Sequence, residues 1–483
     1  MPGKYLIRNA TAVTVDGKLG TIPNCDILIE DGIIAAVGPS LSVQGDATVI
    51  DGTDSIVSPG FVDTHRHTWQ TQLRTVTTDY VLSDYALNIR TIYGSCYTPH
   101  DAYMGNLCGA LESIDNGITY LVDHSHIMNS PEHADAAIKG LRDSKIRAVF
   151  CYGLYDNPSW EGSAIDESFN AKDSDWRLAD AKRVREAQFP SNKPTDLVRF
   201  GFAPTEMELT TFDRTVHEIE YGRSLEAAVI TGHVGIGKYD IGQHLVQKLE
   251  GKKLLGSDLL LSHCASLQDS ELRAVRNSGV SLSSTPDTEL QMGMGHPIAF
   301  KACQHGCIAS IGIDITSNNP ADMFQQMRLL LQAQRHKENE AHVGPLPSVA
   351  QKCYQVLRMA TMGGAEAVGL KNVIGSITPG KRADLLITRC DSTRLTPVHD
   401  PVGALVLYAN ASDIDTVFID GEVVKNKGVL TGSDWPAVRS DLRDSARAIM
   451  ERAARAPRAE LQQRAERIVK GNQLDPGVIQ TKV

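Results

Sequence analysis

The chain has 483 residues, 42% of them hydrophobic and 22% charged, with a net charge of −10 and a pI near 5.8. That is more chain than one ordinary core holds, and it suits a barrel-sized domain of roughly 250–300 residues plus a second module. The acidic balance argues against a nucleic-acid partner. No run of about 18 apolar residues and no signal-type N-terminus is visible, so the expectation is a cytoplasmic protein without a membrane contact that acts on a small molecule.

Residues 1–58 read as the first part of a small β-sandwich. Runs 5–15, 26–30, 33–37 and 48–51 are β-rich, and Asp31-Gly32 between two of them is a hairpin signal. From 59 to 372 short apolar runs alternate with longer helical ones. The strand candidates are 56–64, 120–124, 147–152, 198–203, 228–233, 259–263, 279–283 and 308–314, and helical runs lie at 98–116, 132–144, 176–188, 208–222, 241–249 and 269–277. Eight such units predict an α/β fold, a (β/α)8 TIM-type barrel whose working end is the C-terminal end of its strands. Residues 373–430 return to β character, with strands at 383–387 and 416–424 and a second hairpin signal at Asp420-Gly421. They complete a discontinuous sandwich with 1–58. In the tail, 431–483, a helix is expected over 434–471 with Val438, Leu442 and Ile449 on one face, packed on the protein's own surface or on another subunit. The nine cysteines are scattered without a CxxC pair. They read as reduced, mostly buried thiols, with Cys303 and Cys307 on one helix face.

Four strand ends carry the chemistry. Ser58-Pro59-Gly60-Phe61-Val62-Asp63-Thr64-His65-Arg66-His67 ends in His-x-His, and residues i and i+2 of a strand share a side. His233 follows the apolar run 227–232, His263 closes 259–262, and Asp314 closes 308–313. Each alone could be a satisfied side chain in a barrel mouth. Together they supply the nitrogen and oxygen ligands of a Zn²⁺ or Fe²⁺ hydrolytic site with a position left for water.

This ordered set resembles the amidohydrolase superfamily, in its cytosine deaminase-like and triazine hydrolase-like branch. The resemblance spans residues 4–430. It rests on Pro59–His67, on Gly117-Ile118-Thr119 ahead of Val122-Asp123-His124, on His233, on Ser262-His263-Cys264, on Gly312-Ile313-Asp314, and on Gly375-Ser376-Ile377-Thr378-Pro379-Gly380-Lys381-Arg382-Ala383-Asp384-Leu385. It implies that His65, His67, His233 and Asp314 hold one divalent metal per chain, zinc first, with iron or manganese as alternatives. It implies that His263 contacts the water or the developing oxyanion and that Asp314 moves a proton. No lysine lies near 198–204 to bridge a second metal. A homo-oligomer, dimer or tetramer, is also implied.

Two departures matter. Deaminases of this branch usually carry His-x-x-Glu on strand 5, and here the run is His233-Val234-Gly235-Ile236. The second histidine that often follows on strand 6 is here Ser266. Glu289 or Asp287 could supply an acid from a different strand, or Glu289 could orient another group. Trp69, Gln70, Gln72 and Arg74 follow the His-x-His in the first barrel loop, where an aromatic ring and amides suit a planar polar substrate. Trp69, Gln70, His124 and Glu289 are therefore candidate substrate contacts. The His124/His126 pair reads as pocket wall or as a second metal site, and Ser317, Asn318 and Asn319 as caps of the following helix or substrate contacts. The expected function is metal-activated water attacking a C–N or related bond of a small cyclic or amide-like substrate, as a deaminase or a ring or amide hydrolase. A metal-dependent lyase, decarboxylase or cyclase, or a metal-free scaffold relative, are the alternatives.

Overall fold

The computed structural model describes residues 3–170 and 176–463. Eight parallel strands form the barrel: β6 (Phe61–Arg66), β7 (Ile118–Ser125), β8 (Arg147–Gly153), β9 (Val198–Ala203), β10 (Ile230–Val234), β11 (Leu259–His263), β12 (Ser281–Ser284) and β13 (Ile308–Ile311), paired in chain order. The sheet closes where β13 returns to β6. There Asp314 N–H donates to His65 O at 2.8 Å and His67 N–H donates to Asp314 O at 2.8 Å. Helices cover the outside, as parallel sheets require. The helix Pro99–Asp115 starts on a Thr98/Asp101 capping box with proline at its first turn.

A nine-stranded sheet lies beside the barrel. Its strands are β1 (Tyr5–Val13), β2 (Thr21–Glu30), β3 (Ile33–Gly38), β4 (Thr48–Asp51), β5 (Ser55–Pro59), β14 (Leu385–Arg389), β15 (Ile414–Ile419), β16 (Glu422–Asn426) and β17 (Val429–Leu430). The order is β17-β16-β15-β14-β5-β1-β2-β3, with β4 alongside β1. N- and C-terminal segments thus share one sheet, mainly antiparallel, through the β5–β14 pair. The sheet folds over on itself, so Ile7, Ile27 and Ile29 share a core with Leu385, Ile387 and Phe418. Both predicted hairpin turns are present, with Asp31, Gly32, Asp420 and Gly421 all at positive φ.

The expected strand 56–64 is two strands in two sheets. Gly60 makes the corner, because a Cβ there would sit 2.1 Å from Thr119 Oγ1. β6 then slips its pairing with β7 between Asp63 and Arg66. As a result Thr64 and His65 both reach hydroxyls of the barrel interior: Thr64 bonds to Ser283 and Ser310, and His65 to Ser262. Arg66 turns outward to Ser113 and Glu112 of the helix Pro99–Asp115.

Other expectations are corrected. The helix expected at 208–222 begins only at Phe212, capped by Thr211. The helix Ala299–Gln304 ends before Cys307, so Cys303 is exposed, Cys307 is buried, and they do not share a helix face. The helix Met323–Ala341 is capped by Asp322 and not by residues 317–319. The tail helix runs Trp435–Ala453 and breaks ahead of Pro457; 464–471 lie outside the described residues. It packs on the protein's own surface, where Leu442 and Val438 meet Met104 and Cys108, and Ser445 and Arg452 bond to Asp101. No helix among the described residues is long and apolar enough to cross a membrane.

Candidate active site

The strand ends bring the five predicted polar residues to one point. Asp314 Oδ1 lies 3.4 Å from both His65 Nε2 and His67 Nε2, and His233 Nε2 lies 3.3 Å from His67 Nε2. His263 joins His65 and His233, with donor atoms all within 4.8 Å of one another. His263 and Asp314 take left-handed backbone, φ 70° and 69°, which costs about 1–3 kcal/mol for a side chain that is not glycine and turns each residue inward off its strand. Gly312 leaves room for this packing, since a Cβ there would meet His65 Cβ at 2.8 Å.

Each imidazole is held by its far nitrogen. His65 Nδ1 pairs with Ser262 Oγ at 2.8 Å, His67 Nδ1 with the carbonyl of His124 at 2.9 Å, and His263 Nδ1 with Thr285 Oγ1 at 3.0 Å. His233 Nδ1 faces both oxygens of Glu206 at 3.0 Å. This arrangement aims every Nε2 at the centre, as partners around a metal do. His65 Nε2 is buried with no hydrogen-bond partner. A buried imidazole nitrogen left orphaned next to a carboxylate and two more Nε2 atoms fits a divalent ion. Burial pushes His65 down to about 4 and His67 well below its usual range, so both are neutral, the form that ligates. Burial works against Asp314's charge, but the facing His65, His263 and His67 hold its carboxyl well below the usual carboxylate range.

A cavity of about 850 Å³, counting its open mouth, lies over these groups. One wall is apolar, with Leu82, Leu209, Ile236, Ile241, Met292 and Met294; Tyr85, Arg90, His126, Glu208 and Thr288 supply polar groups. That mix of apolar side chains and a few polar groups suits a small molecule.

None of Trp69, Gln70, His124 and Glu289 lines this cavity; each stands one layer behind. Trp69 continues the chain into a 3-10 turn, is fully buried, and donates from Nε1 to His126 Nδ1 at 3.0 Å. Gln70 donates to Tyr85 OH at 2.7 Å and accepts from Ser317 Oγ at 3.2 Å. Gln72 bonds to Asp101 O and Ser445, and Arg74 to Glu112. His124 Nε2 pairs with Tyr155 OH at 3.0 Å. With His126 Nδ1 taken by Trp69, the His124/His126 pair forms no second metal cluster among the described residues. Glu289 is fully buried, accepts from Thr285 N–H at 2.8 Å, and sits 3.6 Å behind His263 Nδ1. Asp287 does not reach the cavity either.

Sequence reasoning missed Glu206, Glu208, Tyr85 and Arg90. The two glutamates lie in Pro204-Thr205-Glu206-Met207-Glu208, directly after β9. Their i, i+2 spacing past a strand end is the same signal that singled out His65 and His67.

The sequence model of the amidohydrolase family matches residues 56–424. The chain belongs to the amidohydrolase family. This amidohydrolase is 29% identical to the 5′-deoxyadenosine deaminase of Methanosarcina barkeri over 449 residues, which is 92% of this chain and 98% of that protein. It is 29% identical to the 5-methylthioadenosine/S-adenosylhomocysteine deaminase of Pelotomaculum thermopropionicum over 451 residues, 92% and 99% of the two chains. Among solved structures, an adenosine deaminase from Xanthomonas campestris with bound zinc superposes with a TM-score of 0.81 at 22% identity, over 93% of this chain and 99% of that one. A variant of atrazine chlorohydrolase from Arthrobacter aurescens, complexed with zinc and atraton, gives 0.77 at 20%, over 92% and 100%. At these identities the two structures speak for the fold. This amidohydrolase is a metal-dependent hydrolase acting on carbon–nitrogen bonds other than peptide bonds.

Proposed function

We propose that this amidohydrolase deaminates an aminated heterocycle, an adenosine with an apolar or modified 5′ end, using one zinc ion held by His65, His67, His233 and Asp314. The observation that carries this reading is a cluster of three Nε2 atoms beside a carboxylate, His65 and His67 each 3.4 Å from Asp314 Oδ1 and His233 3.3 Å from His67, each ring anchored at Nδ1. The full-length relatives named above deaminate 5′-modified adenosines. The apolar wall of Leu82, Leu209, Ile241, Met292 and Met294 suits a 5′ end without a hydroxyl. β9 reads Val-Arg-Phe-Gly-Phe-Ala and carries no lysine to bridge a second ion.

When bound, the ion supplies Lewis-acid polarisation and a water acidified toward neutral pH. The chain's residues do the rest. Asp314 takes a proton from the attacking water and returns it to the leaving amine. His263, held at Nδ1 by Thr285 with Glu289 behind, presents Nε2 to the oxygen that gains charge. Trp69, Gln70, His124 and Glu289 act through the residues they hold.

Zinc-loaded protein is expected to release ammonia from 5′-deoxyadenosine and 5′-methylthioadenosine and to leave an oxo group on the ring, read by mass spectrometry. Absence of ammonia with both would overturn the reading. Ile236 in the cavity wall, where the branch's deaminases carry Glu, favours a second reading. Under it the enzyme cleaves a C–N bond without protonating a ring nitrogen, and the released product is a substituted amine.

A further inference from the structure

Attack of water on a ring carbon pushes an electron pair onto the adjacent ring nitrogen, and that nitrogen must take a proton as the adduct forms. Position 236 is isoleucine and cannot give one. Asp314 is committed to the water and the leaving group, and Glu206 has both oxygens on His233 Nδ1. Among the described residues one other carboxyl lines the cavity, that of Glu208.

Glu208 comes from the loop after β9, but its carboxyl belongs spatially to β10. Its Oε1 accepts the Gly235 N–H at 2.8 Å, two residues past His233 and one before Ile236. The loop alternates to make this possible. Glu206 and Glu208 face the site, while Met207 between them packs on Gly232, where a Cβ would meet Met207 Cε at 2.2 Å. Glu208 is 6% exposed, and no second hydrogen bond to its carboxyl is formed among the described residues.

Building on the deaminase reading, we propose that Glu208 is the proton donor to the ring nitrogen, reaching over from the loop after β9 to do what Ile236 cannot. Its protonation state suits the role. Burial pushes the carboxyl up to about 8, the Gly235 N–H opposes this, and Asp240, Glu206 and Glu271 add to it. Lys248, on the neighbouring helix Leu245–Gly251, is the cation that interacts with it. The protons balance. Water adds its hydroxyl to the ring carbon while its other proton goes to Asp314, and Glu208 gives its proton to the ring nitrogen. Asp314 then hands its proton to the exocyclic amine, the C–N bond breaks, and ammonia leaves. The adduct hydroxyl returns a proton to Glu208, leaving C=O and a ring N–H.

The test uses the full zinc-loaded chain with 5′-deoxyadenosine as probe, and the variants Glu208→Gln and Glu208→Gln/Ile236→Glu. The glutamine keeps an oxygen for the Gly235 N–H, so the loop is retained. The expected result for Glu208→Gln is a fall in kcat of about 10²–10⁴-fold, with zinc content and KM near wild type. The alkaline fall of the wild-type rate disappears, and the protonated-carboxyl band seen by infrared difference spectroscopy is lost. In the double variant, the carboxyl returned to position 236 restores part of the rate. An active wild type matched by Glu208→Gln within a few-fold, with the same pH profile, overturns the proposal alone. A wild type that releases no ammonia overturns the deaminase reading and this proposal with it.

Discussion

Glu206 faces His233 squarely, with both carboxylate oxygens 3.0 Å from the imidazole Nδ1. Burial disfavours the charge on Glu206, but His233 outweighs it and holds the carboxyl below its ordinary range. An ionised carboxylate there fixes the ring's orientation and makes Nε2 a stronger donor. Glu206→Ala is expected to weaken zinc affinity about 10–100-fold, and Glu206→Gln to weaken it less because the amide oxygen still accepts the Nδ1–H. Competition with a fluorescent chelator measures both; unchanged affinity in Glu206→Ala would remove the residue from the site.

The donor set predicts what metal removal does. Dialysis against chelator should abolish activity, and one equivalent of zinc per chain should restore it. His65→Ala and Asp314→Asn should stay inactive after the same reconstitution, with less than one equivalent retained by plasma mass spectrometry. Two bound equivalents in wild type would bring His263 or the His124/His126 pair into a second site and rewrite the mechanism.

How far the sequence disclosed this site depends on where each side chain sits. A polar side chain at the end of an apolar run is visible because the run itself places it, and His65, His233, His263 and Asp314 are legible that way. Residues that support or complete the site lie on irregular backbone. Glu206 and Glu208 precede Phe212 in a stretch whose composition looks helical, and the loop between a strand and its helix has no period to reveal it. Tyr85 and Arg90 sit on a chain of short helical turns, Leu82–Tyr85 and Ala86–Ile92, that carries no regular pattern. Trp69 and Gln70 follow His67 in sequence and read as substrate contacts from a loop; the 3-10 turn points them into the core instead.

The Arg382-Ala383-Asp384-Leu385 run, legible only as a resemblance, has a physical reason. Asp384 receives Arg147 of β8 bidentately, Nε at 2.8 Å and Nη2 at 3.1 Å, and Arg147 also bonds Asp420 Oδ1. Arg147 and Asp384 are both buried, so a buried ion pair joins barrel to sheet. Asp384→Ala leaves a buried guanidinium short of its partner and should cost about 3–5 kcal/mol, read from urea denaturation. A loss under 1 kcal/mol would show that Asp420 alone suffices.

Arg90 lines the cavity, and a carboxylate on the substrate is expected to meet it. Its guanidinium donates to His126 O at 2.9 Å and rests over the Tyr155 ring at 4.9 Å, and no carboxylate among the described residues is within ion-pair range of it. Hydrogen bonds to a charged group are worth about 1.5–3 kcal/mol. Arg90→Met should therefore raise KM by about tenfold or more for substrates bearing a carboxylate, with kcat little changed, and should spare neutral ones. Equal effects on both substrate types would mean that Arg90 only braces His126 and Tyr155.

Glu208 also predicts how stability varies with pH. Its carboxyl, ordinarily near 4.5, is raised to about 8 in the folded chain, first by burial and then by Asp240, Glu206 and Glu271, against the Gly235 N–H. A higher pKa in the folded than in the unfolded state means the folded chain binds this proton more tightly. Its contribution is whole below pH 4.5, where both states hold the proton, and is lost as pH rises toward 8, where the unfolded chain ionises freely and the folded one resists. Over that window wild type should lose stability faster than Glu208→Gln, by at most about 1.4 kcal/mol per pH unit. The difference between the two proteins isolates this group from the neutral histidines, which titrate in both. Urea midpoints at several pH values, with zinc saturating, make the comparison. Parallel curves would show that the carboxyl is ionised in the folded chain and has no proton to give at neutral pH.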